Sequence, residues 1–303
     1  MSQGRAAASL LVVAVVTFGA VRAQSGRSLP VPDDLYKAVR ANLVRAESVA
    51  HLYAFKERRT DVHTNPFGRI GTGGTSVYHV YPSPIRQLTY RRLVERNGVS
   101  LTPAELAEQD SRYRTRVTDR QREQAARTVD EQRSRDADAA RTRERRQRRV
   151  EDVVNALQFT LEGRTVYQGA PAFIVSFIPK RDAKPVTREG RTAVNFEGKV
   201  WIDEAASEVV YVEATSIDDI TFGFGLVARV GKGAQASMTR RPVAGDLWMP
   251  TRIALSGRGR AAVLRTLVLD FVVDWFDYRR LAGDSATPFL DSGVHHESGR
   301  SPQ

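Results

Sequence analysis

The sequence predicts an α+β fold: a curved antiparallel sheet (an incomplete β-barrel) covered by helices on its concave side, with a long charged helical insertion. Three observations lead there. From Phe159 onward, β-rich runs follow one another at short spacing with no helical pattern between them, which argues a meander and not alternating β-α units. Several runs are apolar on both faces, as in Ala172-Phe173-Ile174-Val175-Ser176-Phe177-Ile178, so the sheet needs cover there on both sides. Leu35, Val39, Leu43 and Ala46 recur at helical spacing, and their apolar stripe needs a surface to lie on.

Composition agrees. The chain has 303 residues, 41% hydrophobic and 27% charged, which excludes collagen-like, fully disordered and polytopic membrane classes. Without cysteine, disulfide frameworks, thiolate metal sites, a catalytic thiol and a lipidated N-terminal cysteine are excluded too.

Residues 1–23 read as a secretory signal. Arg5 precedes the uncharged run Ala6–Ala20, and Val21-Arg22-Ala23 sets small side chains at a cleavage site. The run is shorter than the ~20 residues a membrane span needs. Cleavage removes Arg5 and Arg22 and no acid, lowering the net charge from +11 to +9. The expected product is exported, periplasmic and soluble, with a domain over 24–282 and a loose polar tail over 283–303.

After Pro30-Val31-Pro32, Asp33 or Asp34 is placed to cap the amphipathic helix. Ser48–Phe55 and Thr75–Tyr81 are rich in β-formers, with a turn-rich link between them containing Asn65-Pro66 and Gly71-Thr72-Gly73-Gly74. Gln87–Arg96 is a further strand, closed by a turn at Asn97-Gly98.

The insertion, 102–157, opens on a capping box: Thr102, Pro103 and Glu105 fit the N-cap, N1 and N3 positions. From Arg112 to Arg149 there are 14 Arg against seven acids, and apolar residues are few: Tyr113, Val117, Val129 and alanines. With no wide apolar stripe, this segment is expected to project into solvent. Val150, Val153, Val154 and Leu157 restore the periodicity and bring the last turns back to the body.

The following strands are expected at Phe159–Leu161, Ala172–Pro179, Val194–Asp203, Glu208–Ser216, Leu226–Lys232, Ala236–Arg241, Leu247–Ser256 and Leu264–Tyr278. Glu197-Gly198, inside one of them, reads as a bulge.

No catalytic constellation stands out. The five histidines form no H-E-x-x-H or comparable spacing, there is no G-x-S-x-G elbow, and Gly71-Thr72-Gly73-Gly74-Thr75 lacks the Lys of a phosphate loop. Asp218 and Asp219 are adjacent and point to opposite faces of a strand, a poor geometry for shared acid–base work. No catalytic residue, metal or cofactor is assigned.

The run Phe196-Glu197-Gly198-Lys199-Val200-Trp201-Ile202-Asp203, followed by Val209-Val210-Tyr211-Val212-Glu213-Ala214, resembles the "G-x-(V/L)-W-I-D … V-x-(K/R)-V-E" hairpin of LolA/LolB-like envelope proteins. That group includes the outer-membrane lipoprotein carriers and the RseB-type sensor domain. Tyr211 stands where the pattern has a basic residue. Leu247-Trp248-Met249-Pro250-Thr251-Arg252 resembles the "W-(L/M)-P" strand of the same group. Tyr90–Val94 and Leu101–Leu106, with the Arg-rich segment behind them, are similar to a bacterial secreted subfamily. The resemblance spans roughly residues 32–280 and implies a half-barrel whose concave face binds acyl chains or lipidated polypeptide.

The first expectation is therefore a non-enzymatic periplasmic binding protein for a lipid or lipoprotein acyl group, a carrier or sensor. Its candidate cavity residues are Trp201, Tyr211, Phe222, Phe224, Trp248 and Phe271. The alternative is a docking protein that sets Arg141, Arg143, Arg145, Arg146, Arg148 and Arg149 against an anionic membrane surface or an acidic envelope partner. A secreted hydrolase is the third reading. Export argues against nucleic acid as a partner.

Overall fold

Among the described residues, hydrogen bonding joins thirteen strands into one antiparallel sheet. Their ranges are β1 Tyr53–Thr64, β2 Thr72–Tyr81, β3 Tyr90–Arg96, β4 Val99–Ser100, β5 Leu157–Tyr167, β6 Ala170–Pro179, β7 Phe196–Asp203, β8 Val209–Ser216, β9 Ile220–Phe222, β10 Ala228–Val230, β11 Gln235–Ala244, β12 Leu247–Ala261 and β13 Arg265–Arg280. The spatial order is β4-β3-β2-β1-β13-β12-β11-β8-β7-β6-β5, with the β9–β10 hairpin attached to β12. Among the described residues the two ends, β4 and β5, do not pair, so the sheet is not closed into a barrel. The helices are α1 Pro32–Val49, α2 Pro103–Ala125, α3 at 148–156 and α4 Arg188–Ala193.

This computed structural model describes residues 28–64, 72–83, 88–126, 144, 148–222, 228–245, 247–261 and 265–281. The folded body is the unit that begins at Val31. The signal segment, the link at 65–71, the Arg-rich stretch at 127–143 and 145–147, and the tail at 283–303 lie outside the described residues.

Strand register separates two faces. Val200, Val212, Met238, Ile253, Val273 and Arg59 stand opposite one another across successive strands and so share a face. That face meets α1: Leu35 packs with Leu157, Phe173, Val175, Phe177, Val200, Ile202 and Val209 in the main core, and Val39 and Leu43 pack against it. Farther along α1, Ala46 joins Tyr53, Leu247 and Met249 in a second cluster. The apolar stripe read from the sequence thus finds its surface.

Several expectations are corrected in detail. Asp33 and Asp34 sit in the first turn of α1, not at its cap; the N-cap is Val31, which offers no side-chain bond, and Pro32 opens the helix. There the two carboxylates favour the positive end of the helix dipole. Ser48 and Val49 belong to α1, and the chain becomes a strand only at Tyr53, because Val49 and Ala50 continue the stripe onto the second cluster. The strand then runs through the polar stretch Lys56–Thr64. Gly198 is not a bulge. The register slip in β7–β8 falls between Trp201 and Ile202, and a Cβ at Gly198 would collide with the Glu213 carbonyl oxygen. The capping box forms as expected: Glu105 accepts from Thr102 N at 2.8 Å, and Glu105 N donates to Thr102 Oγ1 at 3.3 Å. The helix α2 it opens does not stand free. It packs on β3 from the other face of the sheet, through Tyr113, Val117 and Tyr90.

Candidate functional site: an apolar cavity under the first helix

The leading helix does not lie flat. Between α1, α3, α4 and the sheet is a cavity of about 360 Å3. Val39 and Leu43 line it from α1, Val153 and Val154 from α3, and Ala193 from α4. Its floor is the alternate-residue set of five strands: Phe159, Val175 and Phe177, Phe196 and Val200, Val212, and Met238. Nearly all of these side chains are hydrocarbon or ring. Such a wall offers burial, so it suits a chain of methylenes.

Polar contacts at the rim hold the helices over this space. Arg40 Nη1 meets Glu151 at 3.0 Å, joining α1 to α3. Arg149 lies 3.5 Å from both Glu47 of α1 and Glu189 of α4. Asp152 of α3 accepts from Val186 N at 3.1 Å, Thr187 N at 2.7 Å and Thr187 Oγ1 at 2.5 Å. Slight burial raises the Asp152 carboxyl, but the bonds from Thr187 and Val186 outweigh it and hold it below the usual carboxylate range. Farther along α1, Arg45 lies 3.6 Å from Glu208, which is buried with Arg240.

The residues anticipated for the lining fall elsewhere. Val200 and Ile202 point inward, so alternation turns Trp201 to the outer face. Tyr211 follows it: Trp201 and Tyr211 ring centroids are 5.2 Å apart, and Tyr167 stacks on Tyr211 at 5.4 Å. Tyr211 borders a groove of about 740 Å3 and mixed polar and apolar lining on that outer face, with Lys199, Glu213 and Ser237. Trp248 is half-buried opposite Pro242, and its carbonyl accepts from Arg240 Nη2 at 2.8 Å. Phe271 shares the helix face but stands beyond β11 and β12, with the Arg59 guanidinium 5.3 Å from its ring. None of these four lines the cavity. Phe222 is in β9, where only its backbone is described, and Phe224 lies outside the described residues.

Of the candidate anionic-surface arginines, Arg148 meets Glu144 at 2.6 Å and Arg149 is held by Glu47 and Glu189. Arg141, Arg143, Arg145 and Arg146 lie outside the described residues. The lining was legible in part. Val39 and Leu43 belong to the stripe, and Val175 and Phe177 to the two-faced apolar run. The large aromatics drew attention by size, but the parity of each strand decides which side chains face α1.

No known family and no curated protein matches the chain. Solved structures do resemble it. One is a domain assigned to outer membrane lipoprotein sorting, from Vibrio parahaemolyticus, at 10% identity over 84% of this chain and 97% of that one, TM-score 0.31. Another is a DUF1329 family protein from Desulfovibrio piger, at 11% identity, 86% and 98% coverage, and TM-score 0.29. A third is MucB in complex with MucA(peri), at 9% identity, 82% and 99% coverage, and TM-score 0.20. At these scores the likeness carries no functional weight, and the reading of the site rests on its geometry. Among the described residues no helix is long and apolar enough to cross a membrane.

Proposed function

We propose that this chain is a non-enzymatic binding protein of the cell envelope, exported and soluble after signal cleavage, that takes a lipid or lipoprotein acyl chain into the cavity under α1. The observation that carries this reading is the cavity itself: about 360 Å3 of space between a helix and a sheet, walled almost wholly by apolar side chains. Each methylene moved from water into such a wall contributes ~0.8 kcal/mol. The resemblance of the β7–β8 hairpin to envelope lipoprotein carriers agrees with it. The arginine-docking alternative draws no support from Arg148 and Arg149, whose charges are met by acids of this chain.

The test is native mass spectrometry of the protein purified without strong detergent, followed by organic extraction. The expected result is a discrete added mass that resolves into an acylated lipid or lipopeptide. Met238→Trp, which fills the floor from β11, is expected to lower uptake of added fatty acid at least tenfold at a destabilisation of ~1–3 kcal/mol. A clean apo mass with no uptake of fatty acid or lipopeptide overturns the reading.

A further inference from the structure

Tyr36 and Arg40 stand one turn apart on α1. Both line the apolar cavity, and both line an adjoining cleft of about 400 Å3. Each carries a buried polar atom that makes no hydrogen bond: the Tyr36 hydroxyl and Arg40 Nε. Burial first, and Asp33 second, raise the Tyr36 phenol above its ordinary pKa, so it keeps its proton and stays a donor. The Leu161 backbone draws it down, as an N–H beside its oxygen does, and leaves the hydroxyl proton without an acceptor. Unmet buried donors weaken a fold, and each one in a native structure calls for a partner.

The surroundings say which partner. Among the described residues Arg40 is engaged at Nη1, by Glu151, so an incoming acceptor can take Nε while the bridge to α3 stays in place. Lys37 and Lys180 line the cleft, with Asp33 as its one acid. Lys180 Nζ donates to the Asn155 carbonyl at 3.0 Å, which sets the ammonium beside the end of α3. The apolar chamber and the charged cleft therefore share two residues that carry unmet donors, and the cleft has an excess of positive charge. The chamber is at the low end of the ~300–1,000 Å3 range of small-ligand sites, space for one chain and not several.

We infer that the ligand is a single-chain anionic amphiphile whose acyl chain fills the cavity and whose carboxylate or phosphate head accepts from Tyr36 Oη and Arg40 Nε. This rests on the acyl-binding reading above and narrows it: a charged head group is recognised, not a neutral glyceride.

The test compares oleate, lysophosphatidate and the neutral oleyl alcohol as competitors of a bound fluorescent fatty acid. Inorganic phosphate and acetate serve as chain-free anions. The expected order places both anionic amphiphiles at least tenfold tighter than the alcohol, with no displacement by the chain-free anions. Arg40→Gln is expected to erase that tenfold preference, and an unchanged far-ultraviolet circular dichroism spectrum and melting transition show that the variant is folded. Tyr36→Phe is expected to lose part of it, about threefold. Equal binding of acid and alcohol to the unaltered protein overturns the head-group assignment and leaves the acyl-binding reading standing. Displacement by phosphate or acetate alone also overturns it, in favour of a plain anion site. No binding of any chain overturns both.

Discussion

Glu208 and Arg240 meet at 2.9 Å with exposures of 2% and 3%, the most deeply buried ion pair among the described residues. Arg240 also donates to the Val209 and Trp248 carbonyls, at 3.4 and 2.8 Å. Arg45 of α1 lies 3.6 Å from the other carboxylate oxygen of Glu208. Burial therefore pushes the Glu208 carboxyl up, against the opposing pull of Arg240 and then Arg45. A carboxyl raised on folding stabilises most below its ordinary pKa of ~4.3, and that contribution is lost as pH rises through the raised value. At neutral pH the pair is a poor source of stability, yet either partner alone is worse. Arg240→Met leaves a buried carboxylate with only Arg45 near it and is expected to cost ~3–5 kcal/mol. Glu208→Leu combined with Arg240→Met is expected to recover most of that loss. Urea denaturation at pH 7 of the two variants checks it. A double variant as unstable as the single one would mean that shape, not charge, holds this corner.

At the scale of elements, α2 shows how a helix poor in apolar residues can still be part of the body. Its large apolar residues, Leu106, Tyr113 and Val117, recur at i, i+7 and i+11 and so fall on one stripe. Tyr113 is 1% exposed and stacks on Tyr90 of β3 with centroids 4.2 Å apart. One turn earlier, Asp110 takes both Nε and Nη2 of Arg92 at 2.8 Å and the Tyr90 hydroxyl at 2.5 Å. Gln109 accepts from the Leu93 N–H and donates to the Leu93 carbonyl, both at 3.0 Å, as a neighbouring strand would. The capping box was legible because its residues are local. The docking was not, because its partners Tyr90, Arg92 and Leu93 lie outside the helix and the stripe is narrow. Tyr113→Ala removes the one large side chain in this contact and is expected to cost ~3–5 kcal/mol. Hydrogen exchange should then speed up in both α2 and β3. Faster exchange in α2 with β3 unchanged would show that the contact does not protect the sheet.

At the scale of the whole sheet, the class was readable and the order was not. Short β-rich runs without helices between them imply antiparallel pairing of neighbours, and β5 to β8 pair in that way. No local pattern says that β13, at the far end of the chain, lies between β12 and β1. Thr60 pairs with Val272 there, more than two hundred residues away. The polar Lys56–Thr64 stretch was hard to read as strand for the same reason. Its charges are met across the sheet: Lys56 by Asp277 at 2.8 Å, and Glu57 by Arg91 and by Trp275 Nε1 at 3.2 Å. This connectivity makes β13 the joint of the molecule. Without it, β1–β4 and β5–β12 would be two sheets with nothing pairing them, each showing a long unpaired edge. Closing such a distant pair is also entropically slow, so the two exposed edges exist during folding. A chain ending at residue 264 is therefore expected to aggregate or to melt without a cooperative transition. A chain ending at residue 281, just past β13, should melt as the full protein does. Size-exclusion chromatography and thermal circular dichroism of the two truncations decide it. A monomeric, cooperatively melting product from the shorter chain would show that the sheet holds together without its last strand.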